Sequence, residues 1–234
     1  MSTKLKVEIW SDVICPFCYI GKRKFESAVK QLEANDTIEI TWKSFQLAPD
    51  MKTDTSISID QYLAIHKGFS IEKAREMNTY VTQIAKQEGL TFNFDKSIVA
   101  NTLLAHQMLH FAHTVGKQDI TKERLLQAYF TDGKNLDDKQ TLLALGAEIG
   151  LDVDALSQAL NSNTFVNEVE ADIVEAQQLG VRGVPFFVFN RTHAVSGAQS
   201  VDVFVDTIQQ AMNQYANDKM VSEGPVCDAS GNCE

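Results

Sequence analysis

The chain has 234 residues, 44% of them hydrophobic and 22% charged, which suits a soluble globular protein able to bury a core. A net charge of −10 at pH 7 argues against a nucleic acid or an anionic membrane as partner, and no apolar run approaches a membrane span. The chain runs straight into strand-like alternation with no hydrophobic signal region, so the expected compartment is the cytoplasm. In a reducing compartment, paired cysteines point to catalysis, redox sensing or metal binding rather than to structural crosslinks.

Leu5-Lys6-Val7-Glu8-Ile9-Trp10 alternates as a half-buried strand does. Beyond it lies Cys15-Pro16-Phe17-Cys18, and then Phe17, Ile20, Gly21, Phe25, Ala28, Val29 and Leu32 recur at helical spacing as far as Asn35-Asp36. The CxxC therefore sits where a strand becomes the N-terminus of a helix. Free N–H groups and the positive end of the helix dipole favour a thiolate there, and the thiolate is the reactive form of cysteine. Pro16 suits the first helical turn, and Cys18 is one turn from Cys15, close enough for a small disulfide. This context marks a redox dithiol. Pro16 and Phe17 carry no charge or side-chain donor, which predicts only modest thiolate stabilisation from the motif itself. Asp12 reads as a turn carboxylate in preference to a proton-transfer group. Lys22, Arg23 and Lys24, at three consecutive positions, read as a solvated helix face.

Ile38–Phe45 alternates again, making a β-α-β order. From about Ile57 to Leu160 the pattern is helical, with breaks near Lys67-Gly68, Glu88-Gly89, Gly116-Lys117, Asp132-Gly133 and Ile149-Gly150. Asp137 and Gln140 have capping-box spacing. Strand character returns in Val184–Phe189 and in the short Ala194–Ser196, and a last helix puts Phe204, Ile208, Ala211 and Tyr215 on one face. The division expected is an α/β domain of residues 1–50 and 164–217, an insertion of residues 51–163, and a tail of residues 218–234. The tail carries the second cysteine pair, Cys227 and Cys233.

A second landmark is Val181-Arg182-Gly183-Val184-Pro185-Phe186, with proline at the start of an apolar strand. With it the chain resembles the thioredoxin superfamily, and within it the DsbA-like thiol oxidoreductases with a helical insertion, FrnE-type branch. The resemblance rests on Ser11-Asp12-Val13-Ile14-Cys15-Pro16-Phe17-Cys18-Tyr19-Ile20-Gly21 and on Gly183-Val184-Pro185-Phe186-Phe187, and its element order extends to about Asn217. It implies a thioredoxin-like α/β fold interrupted by an all-helical insertion domain, with a cis Val184–Pro185 bond lying against the CxxC. It also implies that Cys15 attacks and Cys18 resolves. Pro16, Phe17, Val184 and Pro185 would meet substrate, with Val184 offering backbone to an extended segment. Asn101 and His106 would line the cleft, although core or cap duty fits them equally.

The implied partners are protein or small-molecule thiols and disulfides, with no tightly bound cofactor and glutathione as a co-substrate. FrnE-type proteins are similar in having an extra C-terminal cysteine pair, so the resemblance adds the reading of Cys227/Cys233 as a second redox pair to that of a structural disulfide. A local disulfide, worth about 2 kcal/mol in the chain-entropy model, or two free cysteines are the other readings. No metal site is assigned. Zinc shared by the two cysteine pairs is weakened by the wide tail spacing, and His106, His110 and His113 share a helix face without a ligand-spaced carboxylate. Two other functions remain open: a glutathione-dependent isomerase or transferase of the kappa type, which has Ser at the first cysteine position, and a chaperone-like binding module.

Overall fold

The computed structural model describes residues 4–222, with side chains through residue 214. β1 (Leu5–Ser11) runs parallel to β2 (Ile38–Ser44) and antiparallel to β5 (Phe186–Phe189), and β6 (His193–Ser196) continues antiparallel beyond β5. The strand order is thus β2-β1-β5-β6, with α1 (Pro16–Gln31) crossing over between β1 and β2. Strand alternation sorts the side chains into two layers. Leu5, Val7, Ile9, Trp42, Phe187 and Phe189 pack against α1 and α9 (Val201–Ser222). Trp10 and Val188 face the other way, packing with Ala176 and Val181 at the end of α8 (Val166–Gln178). Phe187 is wedged between the two helices on its own face, with ring centroids 5.6 Å from Phe25 and 4.7 Å from Phe204.

Between β2 and β5 the chain builds α2 (Ile59–Lys67), α3 (Ile71–Gln87), α4 (Leu103–Thr114), α5 (Gln118–Phe130), α6 (Lys139–Glu148), α7 (Val153–Asn161) and α8. The five expected breaks fall at helix ends where glycine takes φ between 66° and 73°. Helical periodicity did not disclose one further feature, a small antiparallel pair of β3 (Asp54–Ser58) and β4 (Ile98–Val99). The cap of α6 is Asp138, which accepts from Thr141 N, while Asp137 accepts instead from Thr53 Oγ1. The final helix α9 also runs to Ser222, past the boundary at residue 217 expected from sequence.

The core of the inserted helices takes in residues of the motif helix and the turn before it. Val13, Tyr19 and Ile20, from the start of α1 and the turn before it, are buried in one cluster with Phe92, Met108, Leu125, Leu126 and Phe130. Polar contacts reinforce that seam. Lys22 is only 3% exposed and pairs with Glu26, Glu123 and Asp119, while Arg23 bridges Glu26 and Glu123. Lys22 and Arg23 are therefore clamps between α1 and α5 rather than the solvated face their spacing suggested. Burial works against the charge of Glu123, but Arg23 and Lys22 hold its carboxyl down to about 2.

Edge strand β2 is closed by side chains. Gln118 accepts from Trp42 N at 2.9 Å and donates to Trp42 O at 2.9 Å, so one amide stands in for a neighbouring strand. Asp172 accepts from Ser44 N at 2.8 Å further along the same edge. Because Gln118 is 6% exposed, truncating it strands two backbone groups away from water. Gln118→Ala is expected to lower stability by about 2 kcal/mol or more, read as a drop in the urea midpoint at an unchanged m-value.

Candidate active site

β1 ends at Ser11, and the turn Asp12-Val13-Ile14 leads into α1 with Cys15 as its N-cap (φ −88°, ψ 113°) and Pro16 in its first turn. Cys18 N donates to Cys15 O at 3.0 Å, which places the second sulfur one helical turn beyond the first. Opposite them the Val184–Pro185 bond is cis, and the Cys15 thiol donates to Val184 O at 3.5 Å. Close approach from that side depends on Gly21: a Cβ there would lie 2.9 Å from Pro185 Cγ. Both cysteines are free, with Cys15 4% and Cys18 1% exposed, whereas Phe17 between them is 41% exposed. The Val184 N–H makes no hydrogen bond among the described residues.

Beneath the sulfurs is a buried charge cluster. Asp12 is fully buried; its Oδ1 accepts from Val13 N at 2.7 Å and its Oδ2 from Leu47 N at 2.8 Å. His106, also fully buried, places Nε2 3.3 Å from Asp12 Oδ1. Burial penalises the Asp12 carboxylate, but the His106 bond, the Leu47 N–H and the charge of Lys122 together hold its pKa below the ordinary value. Burial dominates at His106, lowering its pKa against the pull of Asp12, so the ring is neutral near pH 7. With Asp12 ionised, Nε2 carries the proton and Nδ1 is left buried without a partner.

Lys122, on α5, is completely buried, and its Nζ donates to Ser11 O at 3.4 Å. Burial brings its pKa down to about 8 against the opposing pull of Cys18, Asp12 and Cys15. The two thiols titrate as a pair. Their mutual hydrogen bond and burial push Cys15 well above the ordinary thiol range. At Cys18 burial is outweighed by the Cys15 hydrogen bond, by Lys122 and by Ser11, and its pKa is lowered.

The structure brings Cys15, Cys18, Pro16, Phe17, Val184 and Pro185 to one place. Asn101 and His106 are near but do different work. Asn101 donates to Pro49 O and Met51 O and accepts from Leu103 N, pinning the loop after β2 to the start of α4. His106 is buried against Asp12, so it reaches the chemistry through that carboxylate instead of by substrate contact. Asp12 keeps its turn-forming bonds while also anchoring this network. His110 turns to Asp172 (3.1 Å) and Ser44 (3.1 Å), away from His106, so the three histidines do not converge. Among the described residues no group of three or more His, Cys, Asp or Glu is arranged to hold a metal ion. No helix there is long and apolar enough to cross a membrane. Cys227 and Cys233 lie outside the described residues.

Lys122 was missed in the sequence, though a signal existed. Leu125, Leu126 and Tyr129 follow it at i+3, i+4 and i+7 and are all buried, so a lysine occupies the apolar face of α5.

A family model for the DSBA-like thioredoxin domain matches residues 6–209. YwbO of Bacillus subtilis (strain 168), a protein named as uncharacterized, is 28% identical over 204 residues, covering 86% of this chain and 94% of its own length. A solved structure described as a probable DsbA oxidoreductase from Streptomyces coelicolor is 31% identical, covers 98% of each chain and superposes with a TM-score of 0.83. The cytosolic disulfide reductase DsbM from Pseudomonas aeruginosa, solved with GSH, shares the fold at 18% identity and a TM-score of 0.63, covering 89% of this chain and 100% of its own.

The depressed His106 pKa has a signed consequence. Below about 6.5, the ordinary histidine value, the unfolded chain takes up a proton that folded His106 refuses, so stability falls with falling pH. Between pH 7 and 5 the wild-type urea midpoint is expected to fall. His106→Gln, which keeps a donor for Asp12, should show a flatter profile, the difference reaching about 1.4 kcal/mol per pH unit at most.

Proposed function

This chain belongs to the DSBA-like thioredoxin domain family, and from that premise we propose that it exchanges disulfides through Cys15 and Cys18 with extended thiol or disulfide substrates in the cytoplasm. The observation that carries this reading is the Cys15 thiol 3.5 Å from Val184 O across a cis-proline, at the N-terminus of a helix. An incoming segment can pair with the Val184 N–H, which lies beside the sulfur to be attacked, and can pack an apolar side chain on exposed Phe17.

Reduction of a substrate disulfide then runs in two exchanges. Cys15 Sγ gives up its proton and attacks one substrate sulfur, the substrate S–S bond breaks, and the first substrate sulfur leaves as a thiolate that takes up that proton. Cys18 Sγ then attacks Cys15 Sγ, breaks the mixed disulfide and releases the second substrate thiolate, which takes up the Cys18 proton, leaving a Cys15–Cys18 disulfide. Two glutathione thiols return the pair to the dithiol and become glutathione disulfide. The same steps in reverse oxidise a substrate dithiol. Retention of both cysteines favours this chemistry over kappa-type glutathione-dependent isomerisation, which needs no second sulfur.

Two variants separate the readings. Cys15→Ser is expected to lose at least ~100-fold in the rate of exchange with a peptide disulfide, reading the lost nucleophile as a transition-state term. Cys18→Ser should instead accumulate a glutathione adduct at Cys15, visible by intact-mass spectrometry and removed by dithiothreitol. Undiminished exchange by Cys15→Ser would sink the oxidoreductase reading.

A further inference from the structure

The segment that leads into the cis-proline is anchored at both ends and free between them. Val181 is buried with Trp10 and Val188, and its N–H donates to Ala176 O at 2.9 Å. At the other end Pro185 O accepts from Gly197 N at 2.8 Å. Between these anchors the N–H groups of Arg182, Gly183 and Val184 have no acceptor among the described residues. Folded chains rarely leave successive backbone donors unmet, and such a row is what an extended segment pairs with. Gly183 points the same way. It does not take a positive φ, and a Cβ built on it would meet no atom within 4 Å. Neither its backbone nor the protein's own packing requires glycine, so what the bare Cα provides is room for another backbone to lie close.

A segment that pairs with Val184 and passes over Gly183 comes next to Arg182, which is exposed. Arg23, Arg75, Arg124 and Arg191 each pair with a carboxylate. Arg182 is the one arginine in the chain with no carboxylate partner among the described residues. We propose that Arg182 is a specificity-determining residue of the exchange site: it takes a carboxylate of the docked peptide, so acidic segments are exchanged in preference to neutral or basic ones. The proposal rests on the reading of Cys15 and Cys18 as a working exchange pair and leaves the sulfur steps as they are.

A guanidinium suits this task, because its planar fork can meet a carboxylate with two parallel N–H···O bonds. On a chain of net charge −10, an unpaired cation beside the docking edge supplies the attraction that the rest of the surface withholds from acidic partners. Lys24 adds to it from α1. Its Nζ donates to Ala198 O at 3.3 Å, next to the Gly197 that holds Pro185, and it too has no carboxylate partner among the described residues.

Exchange of the reduced full chain with three peptide disulfides, identical except for Glu, Gln or Lys on either side of the cysteine, tests this. Wild type is expected to favour the Glu over the Gln peptide about three- to fivefold in kcat/KM. The preference should reside in KM and shrink at about 0.5 M salt. Arg182→Gln is expected to bring the Glu/Gln ratio to about one, and Arg182→Glu to turn the preference toward the Lys peptide. Ratios within one variant cancel any general loss of activity. Equal rates for the three peptides in wild type, or a wild-type ratio in Arg182→Gln, would overturn the proposal. So would a loss confined to glutathione disulfide, which carries carboxylates of its own. No exchange with any peptide would overturn the dithiol reading instead. Gly183→Ala checks the docking edge independently. Its thermal midpoint is expected to hold, since the added Cβ meets nothing in the free protein, while exchange with the Glu peptide slows about tenfold or more. An unchanged rate there would overturn docking along this edge.

Discussion

Asp12 is ionised and has no access to solvent, and a carboxylate in that position needs partners on every side. Those partners come from parts of the chain far apart in sequence. Val13 N belongs to the turn into α1, Leu47 N to the loop leaving β2, His106 to α4, and the buried cation Lys122 to α5. A single charge at the end of β1 therefore requires the inserted helices to be docked where they are. The cost of this arrangement shows in two unmet groups beside it, the Ser11 hydroxyl and His106 Nδ1, the latter left without a partner so that Nε2 can serve Asp12. A buried charge held from several sides specifies one geometry, because any slip leaves it exposed to apolar surroundings.

This explains why the insertion is not an appendage. The motif helix contributes Tyr19 and Ile20 to the insertion's apolar cluster on one side and Phe25 to the sheet's cluster on the other, so α1 belongs to both. Tyr19 also donates to Glu123 Oε1 at 2.7 Å, placing an α1–α5 hydrogen bond one residue from Cys18. Movement of α5 relative to α1 would disturb the ionic clamp, the shared core and the Asp12 cluster together. The sheet edge is tied in by the same helix, since Gln118 at its first turn occupies the open side of β2.

Much of this was legible in sequence where local periodicity carries the signal. The strands around Ile9 and Phe187, the CxxC at a strand-to-helix junction, the helical character of the insertion and its glycine breaks all follow from spacing and turn chemistry. The pairing of Cys15 with Val184 across 169 positions followed from a resemblance, because no local pattern relates them. What stayed hidden depends on tertiary burial. Lys22, Arg23 and Lys24 look alike as three cations in a row, and only the placement of Glu123 and Asp119 across the seam makes the first of them buried. His106, His110 and His113 share a face, yet α4 packs against different elements along its length, so His106 meets Asp12 and His110 meets Asp172. β3 and β4 pair over too few residues, with too irregular a register, for alternation to emerge. Lys122 was readable as a charge on an apolar helix face, but its meaning required knowing which helix end it would lie beneath.

The chemistry of the pair follows from where positive potential is available. The dipeptide between the cysteines offers none, since Pro16 and Phe17 have no polar side-chain atoms. On the cis-proline side Cys15 meets the carbonyl of Val184, an acceptor, which favours a protonated sulfur there. On the inner side Cys18 has the field of Lys122 and the Cys15 thiol as donor. Cys18 is the deeper sulfur, 1% exposed, and Cys15 the outer one, 4% exposed. In the proposed exchange a substrate segment that takes up the Val184 backbone replaces the environment of Cys15 and brings its own sulfur alongside. β1, α1 and α5 thus impose an asymmetry of burial and of hydrogen bonding on two sulfurs one helical turn apart.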